Sequence, residues 1–304
     1  MTILENDFLR VSISPQGAEL TSLFSKQTNT EHLWQADPAV WGWHAPNLFP
    51  VVGGCQNNQI LIDGQAYPMA RHGFARKSAF TTENSTDTSV RFALSDSDET
   101  RAVYPYRFTF GVEYALDGPA LTVTYTVENT DDKDVFFSVG AHPAFAVPMH
   151  PGEKYSDYFL EFDEDTTLLD EDTDSLAEGT ASLETHRLSS AGLFTAETAP
   201  LEMDGSRLWL GDFLFNQDAL VFKELASKKV TLRSKKHGQT VAVSFADFDY
   251  LGVWAKPGAA FVCIEPWLGC ADSEGTPVDF SRKEGIQEVA EEETFTASFV
   301  ITVM

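Results

Sequence analysis

Cysteine is scarce in this chain: Cys55, Cys263 and Cys270 are the only three among 304 residues. An odd count without a paired framework argues against a disulfide scaffold and for thiols in a reducing compartment. No CxxC pair occurs, so a zinc ribbon or a dithiol redox centre is not expected. Basic residues are few as well. Lys and Arg number 21 against 46 Asp and Glu, a formal charge of −25. A surface this acidic repels nucleic acid and anionic membranes, which leaves a neutral small molecule as the simplest partner. Residues 1–7 carry no basic stretch leading into an apolar one, and no run of about eighteen apolar residues occurs anywhere, so the chain reads as soluble and cytoplasmic. GxGxxG after a strand, a Walker loop and GxSxG are all missing, which argues against dinucleotide, ATP and serine-nucleophile chemistry.

What is present is strand-forming sequence. Hydrophobic residues make up 43% and aromatics 12%, with 23 Phe, ample for a sheet-rich core. Short alternating runs are separated by turn residues at Pro15-Gln16-Gly17, Asp63-Gly64, Asp117-Gly118-Pro119 and Pro257-Gly258. Residues 214–222 read as a short helix or an irregular turn. With no long helical period, repeat, linker or low-complexity segment, the expectation is all-β: one large antiparallel β-sandwich domain over residues 1–304. Three tryptophans, Trp34, Trp41 and Trp43, bring bulky rings to an irregular segment. Residues 163–179 are acidic, and Asp170, Asp172 and Asp174 have the spacing of a calcium loop. However, Ser175 and Ala181 stand where that loop needs Gly and Glu, so a solvated surface excursion is expected instead.

The chemistry centres on Phe261-Val262-Cys263-Ile264-Glu265-Pro266-Trp267. With period two, Phe261, Cys263 and Glu265 share one strand face, and Pro266 should end the pairing because it has no N–H. A carboxylate in such apolar company is either a structural partner or a general base with a raised pKa. His72 and His142 lie in similar junctions, Arg71-His72-Gly73-Phe74 and Ala141-His142-Pro143-Ala144-Phe145. Each alone reads as a core histidine bonding a carbonyl. Together with Glu265 they are what acid/base chemistry near neutral pH needs. His72, His142, Asp218 and Glu265 also carry metal-ligand atoms. Without an HxH or HxxxE pair to seed a site, no metal is expected.

Taken in order, Gly17-Ala18-Glu19-Leu20, Leu48-Phe49-Pro50-Val51-Val52-Gly53, His72-Gly73-Phe74-Ala75-Arg76, Gly140-Ala141-His142-Pro143-Ala144-Phe145, Asp218-Ala219-Leu220 and Cys263-Ile264-Glu265-Pro266-Trp267 resemble the aldose 1-epimerase (galactose mutarotase) family, in its bacterial LacX-like branch. The resemblance runs from about residue 3 to residue 303. It implies a mutarotase supersandwich with a sugar cleft on one sheet and no cofactor. It implies Glu265 as the base at the anomeric hydroxyl and His142 as the acid at the ring oxygen. His72 and Asp218 would bind the sugar. The family's upstream sugar-binding arginine has no counterpart before His72; Arg71, Arg76, His44 or Asn47 would stand in. Phe74, Trp254 or Trp267 would offer an aromatic face. The expected function is interconversion of the α and β anomers of an aldohexose by a monomer or homodimer. Three alternatives stand beside it. One is a hexose 6-phosphate epimerase, with Arg71, Arg76 and Lys77 as its phosphate patch. Another is a non-catalytic sugar binder. The last is a polysaccharide hydrolase or lyase using Asp218 as a second carboxylate.

Overall fold

A computed structural model describes residues 1–163, 182–211, 213–223 and 225–304. The acidic stretch that includes Asp170, Asp172 and Asp174 lies outside the described residues. The regular structure of the described chain is chiefly strand, with short 3-10 turns and a single α-helical turn at Asp98–Arg101. None of its helices is long and apolar enough to cross a membrane.

Two large antiparallel sheets form the body. One has nine strands in the order Arg207–Trp209, Tyr158–Phe162, Lys229–Ser234, Thr240–Ser244, Thr294–Val303, Ala120–Asn129, Phe108–Asp117, Ser89–Ser95, Thr81–Ser85. The other has eight. Phe194–Glu202, Ser182–Leu188, Leu220–Phe222, Tyr250–Trp254, Phe261–Leu268, Val139–Ala141 and Asn47–Leu48 follow one another, and Ala144–Ala146 adds to the Phe261–Leu268 strand. The expected turns close where the sequence places them: Asp117 pairs with Ala120, and Ile62 with Gln65. Residues 214–222 resolve into turns followed by the Leu220–Phe222 strand.

The sheets pack face to face through aromatic side chains. Phe49, just past the Asn47–Leu48 strand, stacks on Phe110 at 4.4 Å, and Phe162 meets Phe222 at 5.9 Å. Each such fully buried ring contributes about 1.5–3 kcal/mol, which is what draws the two sheets together. Alternation along the eight-stranded sheet sends Leu220, Phe222, Leu251, Val253 and Ile264 into this core. Val221, Tyr250 and Trp267 form a smaller cluster with Leu48, Phe194 and Ala271.

Pro266 does not end its strand, contrary to the sequence expectation. Pairing continues with Leu251 opposite Pro266 and Tyr250 opposite Trp267. The reason is local. The Ile264 N–H points to the Pro143 carbonyl at 3.3 Å, so by alternation the Pro266 nitrogen faces the same side two residues on. There the neighbouring strand is interrupted between Ala141 and Ala144, and no ladder bond is lost. The interruption is the turn that carries His142.

Candidate active site

Glu265 and His142 are brought together by this interrupted pairing. Gly140 pairs with Trp267 and Ala144 with Cys263, so the 141–143 turn sits beside Glu265. The His142 Nε2 lies 3.2 Å from the Glu265 Oε2. Both residues are buried, at 7% and 1% exposure. The contact is close but poorly aligned: Glu265 Oε2 and His142 Nδ1 have no hydrogen-bond partner. Trp41 stacks on the His142 ring at 5.0 Å and Trp254 meets its edge at 5.8 Å, which fixes the imidazole plane.

His72 completes the group, with its ring 5.6 Å from that of His142. Its backbone is left-handed (φ 66°), and Gly73 follows at φ 70°. Gly73 is required there, because a Cβ would sit 2.2 Å from the Phe49 carbonyl oxygen. The Gly53 N–H donates to His72 Nδ1 at 3.1 Å, so a neutral His72 carries its proton on Nε2 as a donor.

These side chains open into a cleft of about 200 Å³. Its lining includes Arg71, His72, Arg76, His142, Asp218, Trp254, Glu265 and Trp267, all singled out from the sequence. Neither His44 nor Asn47 is in the lining, and Asn47 is engaged elsewhere. Its amide donates to the Gly17 and Ala18 carbonyls and accepts from the Tyr125 hydroxyl, so it is a buried joint between the sheets. Lys77 is exposed and outside the lining; Phe74 is also outside it, half-buried against Phe49 and Tyr104. Arg71 Nη2 stands 3.5 Å from Asp218 Oδ2. Arg76 turns back to the Arg71 carbonyl at 2.8 Å and lies over the Trp43 ring.

The sequence reading missed Trp41 as a cleft residue, along with Gly53, Leu188, Gly192, Phe194 and Ala271. Trp41 alone had a signal, in its tryptophan-rich segment. Trp267 lines the cleft because Gly252 makes room for it: a Cβ on Gly252 would meet the indole at 2.4 Å.

Burial sets the electrostatics. It raises the Glu265 carboxyl well above the carboxylate range, with Arg71 opposing and Asp218 adding to the effect. Burial lowers His142 to about 3 and His72 well below its usual value. The base and acid roles that the family resemblance implies for Glu265 and His142 call for a carboxylate facing an imidazolium. Both shifts favour the uncharged arrangement of the pair, carboxylic acid beside neutral imidazole, because burial penalises either charge.

The aldose 1-epimerase family model matches residues 1–276. The chain belongs to the aldose 1-epimerase family. Among curated relatives of this family, the plasmid and chromosomal LacX proteins of Lactococcus lactis subsp. lactis are each 34% identical over 312 aligned residues, with all of both chains covered. Two solved structures share the fold. A galactose mutarotase related enzyme from Lactobacillus acidophilus matches with a TM-score of 0.90 at 34% identity, covering 100% of this chain and 97% of that one. A galactose mutarotase-like protein from Lactobacillus casei ATCC 334 matches at 0.88 and 29%, with both chains fully covered. The sandwich expected of the family is the observed one.

Proposed function

We propose that this aldose 1-epimerase family member interconverts the α and β anomers of an unphosphorylated aldohexose. The carrying observation is the separation of the two proton-transfer groups, 3.2 Å between His142 and Glu265. Ring opening of a cyclic hemiacetal takes a proton from the anomeric hydroxyl and gives one to the ring oxygen. Those oxygens share one carbon, so acid and base must be neighbours. Glycosidic hydrolysis instead uses two carboxyls about 5–10 Å apart. Here the second carboxylate, Asp218, is already engaged by Arg71.

In this reading the proton resting on Glu265 passes to His142 as the sugar binds and Arg71 stabilises the carboxylate. Glu265 takes the anomeric proton and His142 protonates the ring oxygen. After rotation about C1–C2 the steps reverse on the other face. Each positioned group supplies about 10²–10⁴-fold in rate. The His72 Nε2–H, Asp218 and Arg71 hydrogen-bond sugar hydroxyls, and Trp254 and Trp41 face the ring. No cofactor enters the cycle. A neutral sugar is favoured over a sugar phosphate because Arg71 faces Asp218 and Arg76 bonds the Arg71 carbonyl.

Polarimetry on a panel of freshly dissolved aldoses, with hexose 6-phosphates alongside, tests the reading. Acceleration proportional to protein on at least one free aldohexose is expected. Acceleration confined to phosphorylated sugars would replace the substrate, and binding without acceleration would make the protein a sugar binder.

A further inference from the structure

Cys263 has no part in the proposed chemistry, yet it sits beside both groups that do. It precedes Glu265 by two residues on the same strand face, and it is fully buried. One ligand atom each from His142, Cys263 and Glu265 lie within 4.8 Å of one another. Among the described residues this is the one such group of three. Thiol sulfur, imidazole nitrogen and carboxylate oxygen form a borderline-soft donor set, the kind that suits zinc. A second observation points the same way: Glu265 Oε2, on a side chain only 1% exposed, is buried with no hydrogen-bond partner. His142 and Glu265 line the cleft, so a fourth ligand position faces open space. Three protein ligands with one open position is the arrangement of an exchangeable zinc site.

We propose that His142, Cys263 and Glu265 form a binding site for zinc or a similar thiophilic divalent cation, and that its occupation blocks the cleft's acid/base pair. The charges match. Thiolate and carboxylate supply two negative charges to a doubly positive ion, and the imidazole binds neutral. Starting from the thiol and the pair with its single proton, binding releases two protons and leaves the buried site uncharged. A closing movement of about 1 Å brings the three donors to zinc–ligand distances. The ion then holds the lone pairs that would take and return the sugar's protons. That it inhibits rests on the function proposed above; that it binds does not.

The test uses the full-length protein without a histidine tag. Cobalt(II) chloride serves as a spectroscopic probe and zinc chloride as the ligand in calorimetric titrations. The expected results are one equivalent of cobalt with a thiolate-to-cobalt charge-transfer band, release of two protons per zinc, and loss of epimerisation as zinc fills the site. Cys263→Ala should abolish the band, weaken zinc at least tenfold and keep near wild-type epimerisation. Cys263→Ser serves as the second variant if alanine impairs folding. A wild-type protein with no charge-transfer band, or zinc affinity unchanged in both variants, overturns the site. Cobalt binding with the band but no epimerase activity without metal would retain the site and reject the proposed function. Epimerase activity unaffected by saturating zinc would retain the function and reject the inhibition.

Discussion

Two buried polar clusters in this molecule differ in one respect. Around Asn47, the amide nitrogen reaches Gly17, Ala18 and Tyr114, and the amide oxygen accepts from Tyr125. Around Glu265 and His142, a carboxylate oxygen and a ring nitrogen are buried without partners. Leaving such groups unpaired costs about 1–3 kcal/mol each. The first cluster is complete within the protein and ties one sheet to the other. The second presents its unpaired groups at the cleft. Burial and polarity alone do not mark a site. Unmet hydrogen-bonding capacity that opens on a cavity does.

The comparison is broken or sharpened most strongly at Glu265. Glu265→Gln should slow anomer exchange by about 10³-fold or more while thermal stability holds or rises, because a buried carboxyl is removed. Near-normal exchange in that variant would end the comparison. His142→Gln should cost about 10²–10⁴-fold, read by polarimetry, with the sugar still bound. Asn47→Ala should do the opposite: about 2–4 kcal/mol less stable to urea, with the turnover of folded molecules unchanged. Gly252→Ala lies between, since its new Cβ must push Trp267 into the cleft. A loss on the order of tenfold in kcat/KM is expected, with a modest fall in Tm.

An effect remote from the cleft concerns His32, whose ring nitrogens have no partner and whose burial lowers it to about 4. Folded His32 stays neutral as pH falls toward 4, whereas the unfolded side chain takes a proton near the ordinary 6.5 of histidine. Stability is therefore present above pH 6.5 and lost between there and about 4, by about 3 kcal/mol at most. Urea titrations across that range should show a shallower slope in His32→Leu than in wild type.

Much of this was legible in the sequence. Alternation and turn residues gave the strands, since a period of two follows directly from the backbone. His72, His142 and Glu265 stood out because glycine, proline or a strand end sits next to each of them. Arg71, Arg76, Asp218 and Trp254 also reach the cleft. What failed were the readings that depend on how strands meet. Asn47 looked like a site residue because it adjoins the motif, but its side chain turns toward the opposite sheet. Pro266 looked like a strand end because the gap beside it belongs to a strand more than a hundred residues earlier. Gly192 and Phe194 join the cleft by tertiary approach alone, which leaves no local pattern to read.

The central claim is that one proton, shared by Glu265 and His142, serves both oxygens of the anomeric carbon. Its most direct test is the pH dependence of anomer exchange, measured by NMR at equilibrium on the aldohexose found to react. Glu265 keeps its proton far above the carboxylate range, and His142 gains a second one only near about 3. Exchange should therefore persist well below the pH at which an ordinary imidazole protonates and well above that at which an ordinary carboxyl ionises, falling only outside those limits. A narrow optimum bounded by an ordinary carboxylate and an ordinary imidazole, or a profile unchanged in Glu265→Gln, would contradict it.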